Sequence, residues 1–309
     1  MAKSCGCGGA LGNTGSKSCP LASKTRALIL VATEAADGTL NKIPFAQAVD
    51  QAYLDARLNE ADPTKRWYPI TKLENVTNLR EPSIFETSAG GKKAKTGTGI
   101  KSFFGERWKT PEIYLGKLEQ NVCAEMSAFV VDVAYDIRGK IIDTSGDLYP
   151  VEIDSDTWDP LYVEPIDTVT GKVSIAFDWS QDECDSEIRM IQNTDITANL
   201  KAMDGLFDIQ GVVSNITTAG YTLTLNLEYG SVKALIPDTG LLLGDFVVNE
   251  LSPTPGAVAL TSVTEAVAGS GVYDIVFAAP ATSADLLETV ITKKGRDYTL
   301  VRALPVLIP

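Results

Sequence analysis

The sequence predicts a mainly β protein: a β-sandwich with a short flanking helix and a long hairpin arm, followed by a C-terminal all-β, Ig-like domain. Three observations carry this. Short apolar runs rich in Val, Ile, Thr and aromatics recur between Gly, Pro, Asn and Asp turns. Only two stretches have the 3–4 spacing of an amphipathic helix. After Met203 the text changes to Gly, Thr, Val and Leu, with strands about ten residues apart, as in sandwiches and barrels.

At 309 residues the chain is too long for one small core, and its 44% apolar and 22% charged residues describe a globular chain. The expected organisation is a Cys/Gly-rich leader over 1–20, a sandwich domain over 21–203 with its arm at 87–109, and a β domain over 204–309. The last strand of that domain has the option of returning to the first. The leader "MAKSCGCGGALGNTGSKSCP" has linker composition and no apolar core of a secretion signal, so synthesis in a cytoplasm is expected. Its Cys5, Cys7 and Cys19 lack a fourth nearby metal ligand. Cys123 and Cys184 sit in apolar-looking surroundings and read as small core residues.

"TRALILVAT" (25–33) reads as a strand. "PFAQAVDQAYLDARLN" (44–59) places Phe45, Val49, Ala52, Tyr53 and Ala56 on one stripe, with Pro44 in the first turn of a helix. From Ile70 the reading is β: "ITKLENVTNLREPSIFETS" goes up, "AGGKKAKTG" turns, and "GIKSFFGERWK" returns. In "TPEIYLGKLEQN" Thr110 is suited to cap a helix and Pro111 to its first position. "SAFVVDVAYDIRGKIID" (127–143) is the clearest strand, with a turn near "RGK". "DLYPVEID", "GKVSIAFDWS" and "SEIRMIQ" are further strands. In the C-terminal part "TTAG" joins two alternating runs and "KKGRD" marks a late turn.

The absence of histidine excludes a Ser-His-Asp triad, a Cys-His pair and a His-ligated zinc. Nothing in the rest forms a catalytic constellation, so no enzyme and no cofactor are expected. Apolar runs such as 27–32 and 128–131 fall far short of the roughly 20 residues of a membrane span. The net charge of -13 opposes general nucleic-acid binding.

Against that charge, residues 87–109 hold six Lys and Arg and one acid, Glu106. A phosphate loop requires G-x-x-x-x-G-K-[ST], but Thr98 follows Gly97, and six residues separate Gly90 from Gly97. A single-strand patch of basic and aromatic residues is chemically reasonable, yet it must overcome an acidic body. A basic arm that docks on the acidic face of a neighbour explains more, and the bland alternative is a solvated loop. The contact candidates are Lys92, Lys93, Lys95, Lys101, Phe103, Phe104, Arg107 and Trp108. The acidic runs "VEIDSDTWD" and "DWSQDECDSE" fit no EF-hand and read as solvated loops, with an adventitious Ca2+ site as the alternative.

The order of strand, long hairpin, short helix and further strands resembles the tail tube proteins of long-tailed bacteriophages and the related tubes of injection systems. The stretches "NVTNLREPSIFETSAGGKKAKTGTGIKSFFGERWK", "TPEIYLGKLEQN" and "SAFVVDVAYDIRGKIID" carry the likeness, which covers about half the chain. It implies hexameric rings stacked into a tube in the virion, contacts with itself and with other tail proteins, and DNA that passes without being specifically bound. The alternatives are another virion part (a capsid decoration or head-tail connector) and a carbohydrate-binding module with Trp158, Trp179 and Tyr162 as sugar platforms.

Overall fold

The computed structural model describes residues 23–183, 185–231, 234–293 and 295–309. The leader cysteines and Cys184 therefore lie outside the described residues. The chain is mainly β and divides into two compact units, 1–205 and 206–309.

The first unit contains β1 (Thr25–Ala32), α1 (Gln51–Leu58), β2 (Tyr68–Ile70), β3 (Leu73–Arg80), β4 (Ile84–Thr87), β5 (Lys93–Gly97), β6 (Lys101–Trp108), α2 (Ile113–Glu119), β7 (Met126–Asp132), β8 (Ile137–Lys140), β9 (Val151–Glu152), β10 (Asp159–Val163), β11 (Lys172–Asp178) and β12 (Ile188–Ile191). One sheet runs β12-β8-β7-β1-β2, with β9 also on β7, and a second runs β10-β11-β6-β3. β1 has no polar face because both its faces are covered. Ala27, Ile29 and Val31 enter one core with Tyr53, Leu54 and Leu58 of α1. Leu28 and Leu30 enter another with Phe103, Val173, Ile175 and Phe177 of the second sheet. A strand buried on both sides reads as a continuous apolar run rather than an alternating one.

Several local readings are corrected. The first helix begins at Gln51, not Pro44. Asp50 caps it by accepting the Tyr53 N–H at 2.8 Å, while Asp147 takes the Phe45 N–H at 2.8 Å and the Gln47 N–H closes a turn on the Pro44 carbonyl at 2.9 Å. Phe45 is consequently exposed, and Leu54 and Leu58 fill the core instead. Thr110 does not cap α2, because its hydroxyl donates back to the Arg107 carbonyl at 3.0 Å. The 127–143 run is two strands, not one. Asp132 accepts the N–H groups of Ala134 and Asp136 and reverses the chain with Tyr135 at φ 68°, so "RGK" lies inside β8. Gly139 belongs there: a Cβ at this position lies 2.3 Å from the Tyr149 carbonyl oxygen. Cys123 is exposed in a left-handed turn (φ 65°), not a core residue.

The second unit holds β13 (Phe207–Thr217), β14 (Gly220–Ser231), β15 (Ala234–Pro237), β16 (Phe246–Ser252), β17 (Gly256–Val258), β18 (Leu260–Glu265), β19 (Val272–Phe277), β20 (Leu286–Ile291), β21 (Arg296–Asp297), α3 (Thr299–Arg302) and β22 (Val306–Leu307). Its sheets run β18-β19-β14-β13-β21, with β15 on β14, and β17-β16-β20-β22. Alternate residues of β14, β19 and β20 (Leu223 and Leu225, Tyr273 and Ile275, Leu287 and Ile291) meet in one core. The final strands close within this unit: β21 pairs with β13 and β22 with β20. Buried Asp238 ties that return down, accepting from the Tyr298 hydroxyl at 2.6 Å and from Arg296 Nε at 3.1 Å. Burial, then the Asp238 carboxylate, push the Tyr298 phenol well above its ordinary range.

Candidate interaction surface

β3 and β6 form the stem of a long antiparallel hairpin, pairing from Leu73–Arg107 to Arg80–Lys101 with a one-residue shift between Glu74 and Thr77. The Glu81 N–H continues the ladder to the Ile100 carbonyl at 2.9 Å. β4 and β5 then form a ribbon of their own, pairing Phe85 with Lys95, Glu86 with Ala94 and Thr87 with Lys93. The tip closes through the Ser88 N–H to the Lys92 carbonyl at 2.9 Å, with Gly91 at φ +77°. Residues directly opposite in an antiparallel pair share a face. Phe85, Thr87, Lys93 and Lys95 therefore make one face, a phenyl ring beside two ammonium groups. Every residue of β4 is exposed, as are Lys93 to Thr96, and none joins a core cluster.

The root is held by charge. Asp185 accepts from Arg80 and, at 3.0 Å, from Lys101 Nζ, clamping the last pair of the stem. Burial pushes the Asp185 carboxyl up, but the donors Arg80 and Lys101 outweigh it and hold it below the usual carboxylate range. Lys101 Nζ also donates to the Glu183 carbonyl at 2.6 Å, and Glu183 Oε1 takes Lys140 and the Glu152 N–H. Gly99 lets the two chains of the arm approach at this point, since a Cβ there lies 2.0 Å from the Glu81 carbonyl oxygen. We expect Gly99→Ala to splay the root of the arm and to cost the unit about 1–3 kcal/mol, the usual range for forcing atoms into a filled site. Limited trypsin digestion at Lys92, Lys93 and Lys95 should accelerate in the variant, and an unchanged cleavage rate would contradict this.

The sequence candidates do not share one surface. Lys92, Lys93 and Lys95 stand exposed on the arm. Lys101 is spent at the root. Phe103 is a core residue, 1% exposed, stacked on Phe177 at 4.9 Å with Trp179 edge-on at 6.2 Å. Phe104, on the opposite face of β6, is half-buried. Arg107 lies over the Tyr114 ring at 4.5 Å. Trp108 is 45% exposed at the far end of β6 from the arm. The sequence reading missed Leu79, Ile84, Phe85 and Ile100, which are exposed apolar residues of the stem end and arm. The available signal was "PSIF" placed between a proline and the glycine turn.

Beside Trp108, Glu106 accepts from Lys172, from Asn75 Nδ2 at 2.7 Å and from Trp108 Nε1 at 3.1 Å. Burial pushes its carboxyl up, yet Lys172, Asn75 and Trp108 together bring it below the ordinary 4.5. A depressed carboxylate adds stability above its unfolded value and loses it as pH falls through the folded one. We therefore expect Lys172→Met to cost about 1.5–3 kcal/mol near pH 7 and to shrink the loss of stability below pH 4.5. Urea unfolding across pH 3–7, a range roughly spanning carboxylate titration, measures both.

Trp158 and Trp179 are 5% and 4% exposed, which removes them as sugar platforms; Trp158 Nε1 donates to the Leu118 carbonyl at 3.0 Å. Among the described residues no group of three acidic or Cys side chains is placed to hold a metal ion. No protein-family model, curated protein or solved structure matches the chain.

Proposed function

We propose that this chain is a structural virion subunit that assembles with itself into hexameric rings, stacked as the tail tube of a long-tailed bacteriophage. The observation that carries the reading is the arm: a solvent-exposed ribbon with a basic, aromatic face, rigidly rooted on a chain of net charge -13. A two-stranded ribbon standing alone is only marginally stable in water, so its exposed Phe85 and Ile84 call for a partner surface. On an acidic chain that surface is available on the next copy. Electrostatic matching sets register and partner choice at such contacts. The second unit, with its two sheets about one core, is the Ig-like appendage of this reading and faces outward. The acid excess keeps passing DNA from adhering to the lumen.

Negative-stain electron microscopy of the purified chain at high concentration tests the proposal. Hollow, regularly banded tubes are expected. Monodisperse particles of monomer size would overturn it.

A further inference from the structure

We infer that the arm is received by the opposite end of the same sandwich in a second copy, on the patch formed by Trp108 and the β10–β11 loop. This rests on the self-assembly reading and names the other half of its contact. The arm leaves the second sheet where Arg80 pairs with Lys101. Trp108 closes the other end of β6, about 24 Å away for an eight-residue strand. There it pairs with Lys172, and Lys172 pairs with Val163 across the β10–β11 hairpin. The Lys109 N–H donates to the Gly171 carbonyl at 3.0 Å, tying the loop to the end of β6.

The β10–β11 loop at this end is apolar and acidic, while exposed Lys72 and Lys109 stand beside it at the ends of β3 and β6. Ile166 is 67% exposed and Trp108 45%. Glu164 and Asp167 flank Ile166 and are exposed, and the loop from Glu164 to Thr170 contains no cation. Lys172 is occupied by Glu106. Lys109 and Glu112, both exposed, offset each other. The arm face offers the complement: one phenyl ring, Phe85, and two ammonium groups, Lys93 and Lys95. Aromatic meets apolar, and each lysine has a carboxylate to meet. Because donor and receiver lie at opposite ends of one strand, the contact is heterologous. Repeated along the strand direction it does not close, so it extends a stack.

The test uses two full-length variants, Lys93→Glu/Lys95→Glu for the arm and Glu164→Lys/Asp167→Lys for the receiver. All four side chains are exposed, and circular dichroism and melting confirm the fold of each. Assembly is read by sedimentation and electron microscopy. Each variant alone is expected to need at least roughly tenfold more protein to assemble, the effect of about 1.4 kcal/mol. An equimolar mixture should recover wild-type assembly, because each copy then presents a matching partner to the other. A receiver variant that assembles like wild type overturns the receiver assignment and leaves self-assembly standing. A mixture that stays dispersed overturns the direct pairing of these charges. A wild-type chain that forms only a closed dimer overturns it too, since the arm then grips its own end of the partner. A wild-type chain that stays monomeric removes this inference together with the reading on which it rests.

Discussion

Replacing Lys92, Lys93 and Lys95 together by glutamate is expected to abolish tubes at concentrations where the wild-type chain forms them. All three lysines are exposed on the arm, and none has a resolved intramolecular role in the core. In the proposed assembly, reversal would turn attraction into repulsion at every copy of the contact. Like charges forced together at an interface cost several kcal/mol, and each 1.4 kcal/mol is about a factor of ten in affinity. The folded subunit should be unaffected, because exposed substitutions away from such features usually stay within about 0.5 kcal/mol. Salt provides a second reading of the same term. Exposed charges are screened over roughly 8–10 Å at 0.1–0.15 M ionic strength, so wild-type assembly should weaken as salt rises. Tubes that persist in the triple variant would sink the arm as the assembly contact.

The second large effect is expected at Phe103, for the opposite reason. Phe103→Ala should destabilise the first unit by about 3–5 kcal/mol, the usual cost of deleting a buried aromatic ring. The ring is 1% exposed and bound on two sides by Phe177 and Trp179, so its loss leaves a cavity that rigid neighbours do not collapse to fill. Urea unfolding followed by tryptophan fluorescence reports the change, since the four tryptophans all lie in the first unit. Phe85→Ala is the control. Phe85 is 57% exposed, so its stability change should be small, while assembly should weaken. If Phe103→Ala spared stability and broke only assembly, the placement of β6 in the core would be wrong.

The pair Phe103 and Phe104 shows where reading from sequence stops. Two adjacent phenylalanines in a strand point to opposite faces. Composition marks both as apolar, and only pairing with β3 and β11 decides which one meets Phe177. The same limit governs Trp108, which is near the arm in sequence yet a strand's length from it in space. Lys101, Trp158 and Trp179 follow suit, because Asp185 or the core takes them out of play. The first helix and the 127–143 run failed on single carboxylates: Asp50, Asp147 and Asp132 capture backbone N–H groups from neighbours near and far. Sequence spacing does not reveal which N–H a carboxylate will meet.

What the sequence determined by itself is local and compositional. Its Val, Ile and Thr runs with Gly and Pro punctuation make a mainly β chain, and "TTAG" turns β13 into β14. Its lack of histidine excludes whole classes of chemistry, and the lysines between two glycine clusters mark an arm. These follow from backbone propensity, turn chemistry and charge, which each residue carries wherever it is placed. The tertiary structure alone decided which residues remain on a surface. Burial, strand facing and ion pairing depend on partners distant in sequence, so three of the eight contact candidates stay on the arm, while Phe85 joins them unannounced.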